Sequence, residues 1–217
     1  MRSFVADLST IILRGGVEVG NPLDVALEFL AAYPDRESHG SGPASFDESD
    51  LRLANRGGAR ISAAEIAAIL ERRGEIERAL SKIRIEASLA DATSSIPWIP
   101  LRQLFDAFAD IPGVGFSKMT KALHGKRPAL IPMLDSFVQA YLTCGDGRTR
   151  SPGSFGERAV ALVRSYKEDL DRNWSVLQEI QQELASRTHR LTEVRILDLL
   201  IWSQSAIQSR RSTRPRA

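Results

Sequence analysis

The chain is poor in the residues that build metal and redox centres. It has a single cysteine, Cys144, which excludes an internal disulfide, a cysteine-built zinc site and an iron–sulfur cluster. Its three histidines, His39, His124 and His189, are scattered without the short spacings of a metal-ligand pair. No Walker-type phosphate loop, nucleophile elbow or zinc-deaminase signature is present. Long apolar runs are missing too, so no transmembrane helix is expected. The first residues, MRSFVADLSTIIL, carry Asp7 within their apolar stretch and lack a small-residue cleavage site, unlike a signal peptide. A cytoplasmic protein is the expectation. Runs of alternating β-branched residues are also lacking, which excludes a sheet-built core. Neither charge sign dominates. The net charge is +2 with 26% charged residues, so bulk charge does not announce a nucleic-acid partner and distribution has to be read instead.

What is present is helical periodicity over 217 residues with 43% hydrophobic content, enough for one good-sized core. Helices are expected over 24–33, entered through Asn21-Pro22, and over 47–55, stopping at Gly57-Gly58. Ser62 followed by Glu65 is a capping-box pattern and opens a helix through about 72. Further helices are expected over 76–88, 101–109, 116–124, 136–142, 156–186 (with a break near Asn173) and 192–204. Leu101, Leu104, Phe105 and Phe108 form a buried stripe at 3–4–3 spacing. The stretches 34–45 and 143–155 are rich in Gly, Pro and Ser and read as loops. No repeat of fixed period appears. The fold expected is all-α, one helical domain over 1–208. A basic, disordered tail over 209–217 carries Arg210, Arg211, Arg214 and Arg216 without an acid.

One stretch, 111–138, concentrates the chemistry. Pro112-Gly113-Val114-Gly115 is a glycine turn, and 116–124 reads as a helix leaving it, with unpaired N–H groups at its start. Such a start can receive a phosphate oxygen. No Asp or Glu lies between 111 and 134, whereas Lys118, Lys121, Lys126 and Arg127 all do, so a local anion site is expected. Asp135 then stands at the next helix start, where it can cap that helix or present its carboxylate.

IPGVGFSKMTKALHG resembles a helix-hairpin-helix motif, at about 101–124. From there to Asp135-Ser136-Phe137-Val138 the chain resembles the core of the helix-hairpin-helix DNA glycosylase superfamily. In that family a Leu-Pro-Gly-Val-Gly hairpin precedes an Asp-Thr-His-Val type helix start whose Asp is the catalytic carboxylate. Asp135 follows Gly113 by 22 positions, in keeping with that spacing. The likeness covers about 98–142, a minority of the chain. It implies backbone binding of duplex DNA through Gly113, Val114, Gly115, Ser117, Lys118 and Lys121, and base excision through Asp135. Members that also cleave the strand place a lysine two positions after the second glycine. Here that position is Ser117, and Lys118 is displaced about 100° around the helix. The likeness therefore implies a monofunctional glycosylase, without lyase activity. It implies no cofactor beyond a monovalent cation at the hairpin; duplex DNA is the expected partner, with no membrane, and a monomer the expected state. The segments ANRGGARIS and KRPALIP also resemble a bacterial family, a likeness that carries no activity.

The remaining candidates belong to a base pocket or phosphate track: Asn55, Arg56 and Arg60 around the Gly57-Gly58 turn, and Trp98, with Trp202 as a second stacking surface. Each also has a structural reading, as a helix end or a core aromatic. Three function classes follow. One is a glycosylase acting on a damaged base in repair, or on a modified base of foreign DNA in defence against phage. Another is a non-catalytic helix-hairpin-helix DNA-binding protein in which Asp135 only caps a helix. The third is a protein–protein adaptor with no DNA role.

Overall fold

A computed structural model describes residues 10–32, 40–143 and 153–212, with side chains described through 204. The expectations for Asp7, His39 and Cys144, for most of the two loops and for the end of the basic tail fall on residues outside those described. The described residues are mostly helical: α1 (Pro22–Ala32), α2 (Glu48–Arg56), α3 (Ala63–Glu71), α4 (Arg73–Leu80), α5 (Trp98–Asp106), α6 (Phe116–His124), α7 (Ser136–Thr143), α8 (Phe155–Arg172), α9 (Trp174–Ser186) and α10 (Glu193–Ser212). Among them, no helix is long and apolar enough to cross a membrane.

Side-chain caps set several of the helix starts. Asp47 accepts from the Ser49 amide while Asp50 reaches back to Asp47, and Ser62 with Glu65 closes the expected capping box at α3. Ser154 and Glu157 do the same for α8. The expected break at Asn173 separates α8 from α9. Its side-chain amide accepts from Ile12 N at 2.9 Å and donates to Ile12 O at 3.0 Å. The helix expected over 76–88 is shorter, because the chain after Leu80 turns repeatedly instead of continuing.

The helical expectation misses one element, a hairpin of β1 (Ile11–Leu13) and β2 (Val17–Val19), antiparallel with Leu13 opposite Val17. Its turn uses Gly15 and Gly16, both at positive φ (78° and 75°). Ile11, Leu13 and Val19 are buried, so the hairpin contributes to the core. Each strand has only three residues, too few to show an alternating pattern.

The buried apolar side chains form one continuous cluster. α10 packs against α1, α7, α8 and α9; α5 packs against α8 and α4; and α6 lies on α2. The α2–α6 contact brings the Gly57-Gly58 turn beside Lys121 of α6. The contact of α10 with α7 brings Trp202 against Phe137, two residues after Asp135.

Two of the four cations read as an anion patch are buried instead. Arg127 is 1% exposed and donates to the carbonyls of Ile83, Leu80, Pro43 and Lys126. Lys126, 5% exposed, pairs with Asp50 at 2.6 Å and bonds Ser41 and Gly42. These two side chains tie the 41–43 segment, α2 and the 80–83 turn to the end of α6. Of the four, only Lys118 and Lys121 remain for the expected anion site.

Candidate functional site at the glycine turn

The Pro112–Gly115 turn is shaped by two residues at positive φ, Asp110 (60°) and Gly113 (80°). Val114 N donates to Ile111 O at 3.1 Å, closing the turn. Val114 itself sends its side chain into the core, so only its backbone belongs to the surface. α6 begins at Gly115 without any side-chain cap, leaving its first amides to other partners.

A cleft of about 740 Å³ opens at this point, lined by Gly58, Ala59, Arg60, Gly113, Gly115, Ser117, Lys118, Lys121, Asp135, Ser136, Phe137 and Trp202. The turn glycines, Ser117, both lysines, Asp135 and Arg60 thus share one concave surface. Arg60 reaches it from a left-handed backbone (φ 57°). Asn55 stands behind it: its amide donates to Ile61 O at 2.8 Å and accepts from Ile61 N at 2.6 Å, holding the loop that carries Arg60. Arg56 is exposed at the end of α2, outside the lining. Trp98 is elsewhere, its Nε1 donating to Thr93 O at 2.9 Å and its ring 4.7 Å from the Arg164 guanidinium carbon. Trp202 is the tryptophan of the cleft. It meets Phe29 and Phe137 edge-on at 5.2 and 6.2 Å, and Phe137 is 36% exposed at the rim.

Asp135 is the N-cap of α7 and lines the cleft as well. Its Oδ1 accepts from Phe137 N and Val138 N, both at 3.0 Å, which leaves Oδ2 without a hydrogen-bond partner among the described residues. The strap before it is held atom by atom. Ile131 O meets His124 Nδ1 at 2.7 Å, Met133 N donates to Asp198 Oδ2 at 3.1 Å, and Leu134 N donates to Thr120 Oγ1 at 3.0 Å. Gln139 Nε2 donates to Leu134 O at 2.7 Å. The carboxylate is therefore presented by a rigid edge.

The two cleft lysines differ. Lys121 Nζ donates to Gly57 O and Gly58 O, each at 3.3 Å, binding the two turns together. Burial pushes its ammonium below the ordinary lysine range; Arg195 and Arg60 push the same way, against the pull of Asp135. Lys118 donates to Glu65 Oε1 at 2.6 Å. That hydrogen bond, with a second from Ser62 N, holds the Glu65 carboxyl below its usual range. Glu65 also lies directly against the turn: a Cβ on Gly113 would come within 2.2 Å of Glu65 Oε1. An internal carboxylate thus rests on the glycine turn. In the sequence Glu65 is marked only as a capping residue, since nothing local records its reach to Gly113.

The chain matches a family of unknown function (DUF6308) over residues 28–205. The chain belongs to this family. No curated protein and no solved structure matches it. The family's span includes every residue lining the cleft, from Gly58 to Trp202.

Proposed function

We propose that this protein binds duplex DNA through the 113–121 turn and helix start, and that Asp135 excises a base from it. The reading rests on one observation: a single cleft gathers a bare helix start on a glycine turn, three cations, a helix-capping carboxylate and two aromatic rings. Each part suits a step of base excision. Backbone amides and lysines engage phosphates regardless of sequence. An extruded base needs a flat apolar partner, which Phe137 and Trp202 offer. As the C1′–N bond breaks, the electron pair leaves with the base, which takes up a proton. Positive charge grows on the sugar, where Asp135 stabilises it. Water adds at C1′ and gives up its proton, to Asp135 in this reading. The helix-hairpin-helix glycosylase fold is part of the same proposal. Ser117 at the position of the strand-cleaving lysine, with Lys118 held by Glu65, favours hydrolysis without lyase chemistry.

A second reading, a non-catalytic DNA-binding protein, is favoured by the cap at Asp135, whose Oδ1 is fully employed by its own helix. Asp135→Asn separates the two. Asparagine caps a helix about as well as aspartate, so fold and DNA affinity are retained. On duplexes carrying a panel of damaged and modified bases, the wild type leaves alkali-labile abasic sites and the variant leaves none. Abasic sites from neither protein, with DNA binding intact, would establish the binding module. Absence of DNA binding would dismiss both readings.

A further inference from the structure

Beneath the cleft, Asp198 on α10 is 3% exposed, and its Oδ1 is buried without a hydrogen-bond partner. Its Oδ2 accepts from Met133 N at 3.1 Å, and Met133 O in turn accepts from Asp135 N at 2.9 Å. Asp135 Oδ1 then accepts the Phe137 and Val138 amides. Hydrogen bonds alternating with the covalent links of Met133 and Asp135 therefore form a relay from a buried carboxyl to the carboxylate that lines the cleft. We propose that Asp198 is a positioning residue for Asp135, whose proton sets how firmly the Met133–Asp135 strap is held.

Three charged or titratable groups act on Asp198: Arg195 one turn away on α10, Tyr166 on α8, and Asp135 itself. The Tyr166 hydroxyl donates to Val194 O at 2.6 Å, and Arg195 Nη1 rests on the Met133 sulfur at 3.5 Å. Asp198 therefore has no ion-pair partner among the described residues, and the Met133 amide and the nearby Tyr166 hydroxyl offer it only neutral donors. Burial pushes its carboxyl up to about 7, with Arg195, the Met133 amide and the Tyr166 hydroxyl opposing and the like charge of Asp135 adding to the rise. Ionisation strengthens the Met133 amide bond, since a charged acceptor binds an N–H more tightly than a neutral one. It also draws the Arg195 guanidinium from sulfur toward oxygen. Protonation relaxes both, and the relay carries the change to Asp135.

The inference concerns the placement of Asp135 and is tested on the free protein, so it fails or stands apart from base excision. Amide NMR shifts of Met133, Phe137 and Val138 are followed across neutral pH, together with the carboxyl carbon of Asp198. The expected result is one shared midpoint near neutrality for all four signals in the wild type. In Asp198→Asn the amide inflections disappear, while in Asp135→Asn the Met133 inflection persists. Flat Phe137 and Val138 amides in the wild type would overturn the proposal. So would an inflection surviving in Asp198→Asn, which would assign it to another group such as His124, whose Nδ1 meets the same strap at Ile131 O. If Asp198→Asn does not fold, the wild-type carboxyl signal decides: a midpoint different from that of the amides refutes the relay.

Discussion

Replacing Glu65 with Gln probes the proposed anion site directly. The Glu65 carboxylate lies on Gly113 and pairs with Lys118 at 2.6 Å, so a phosphate arriving at the turn meets a resident negative charge and a lysine already neutralised. Two unit charges ~5 Å apart repel by ~1 kcal/mol in water and ~3 kcal/mol at the effective dielectric of a protein surface. Screening by physiological salt moves the expected value toward the lower figure. Glutamine removes that repulsion and releases Lys118, so duplex affinity rises by about five- to thirty-fold. The slope of log affinity against log salt steepens by about 0.9, the mark of one additional phosphate contact. Glutamine still accepts the Ser62 amide in the capping box, and a partly exposed ion pair contributes little, so the fold loses less than ~1 kcal/mol. Fluorescence anisotropy of a short labelled duplex, titrated at several salt concentrations, measures both quantities, and a thermal melt checks the fold. Equal or weaker binding by the folded variant, with an unchanged salt slope, would refute an anion site at the turn.

Three other perturbations test the surrounding structure. Gly113→Ala places a side chain at φ 80° and a Cβ against Glu65 Oε1. It should lower stability in urea by ~1–2 kcal/mol, and no loss would mean the turn relaxes freely. Arg127→Met strips the Ile83, Leu80, Pro43 and Lys126 carbonyls of their shared donor and should cost ~3 kcal/mol or more by the same measurement. The third concerns pH. The folded chain keeps the Asp198 proton up to about 7, whereas an unfolded chain releases it near ~4. Asp198 therefore favours folding most in acid, and wild-type stability relative to Asp198→Asn falls as pH rises between those values and is level above them. The change is on the order of a few kcal/mol, read from urea midpoints over the pH series. A difference that does not vary with pH would contradict the raised Asp198 carboxyl.

How much of this was legible in the sequence depended on the range of the interaction involved. α6 spans 116–124 as its glycine entry and apolar spacing require, and the Ser62–Glu65 box opens α3 where the pattern places it. The cleft membership of the turn glycines, Ser117, Lys118, Lys121 and Asp135 also follows a single contiguous stretch. The candidate pocket residues divide. Arg60 reaches the cleft and Asn55 braces its loop, whereas Trp98 lies apart and Trp202 supplies the aromatic wall.

Local sequence determined the helices, their caps, the left-handed glycine at position 113 and the spacing from the turn to Asp135. All of these depend on backbone sterics and hydrogen bonds between near neighbours. Tertiary structure alone decided which charges face water. Lys126 and Lys121 are the same residue type five positions apart, yet Asp50 and the 41–42 backbone draw the first inside while the second lines the cleft. Tertiary structure alone also set Glu65 on the glycine turn and Asp198 beneath the strap. Burying or pairing a charge requires acceptors converging from remote elements, and nothing in a charged residue's own neighbourhood records where those acceptors will be.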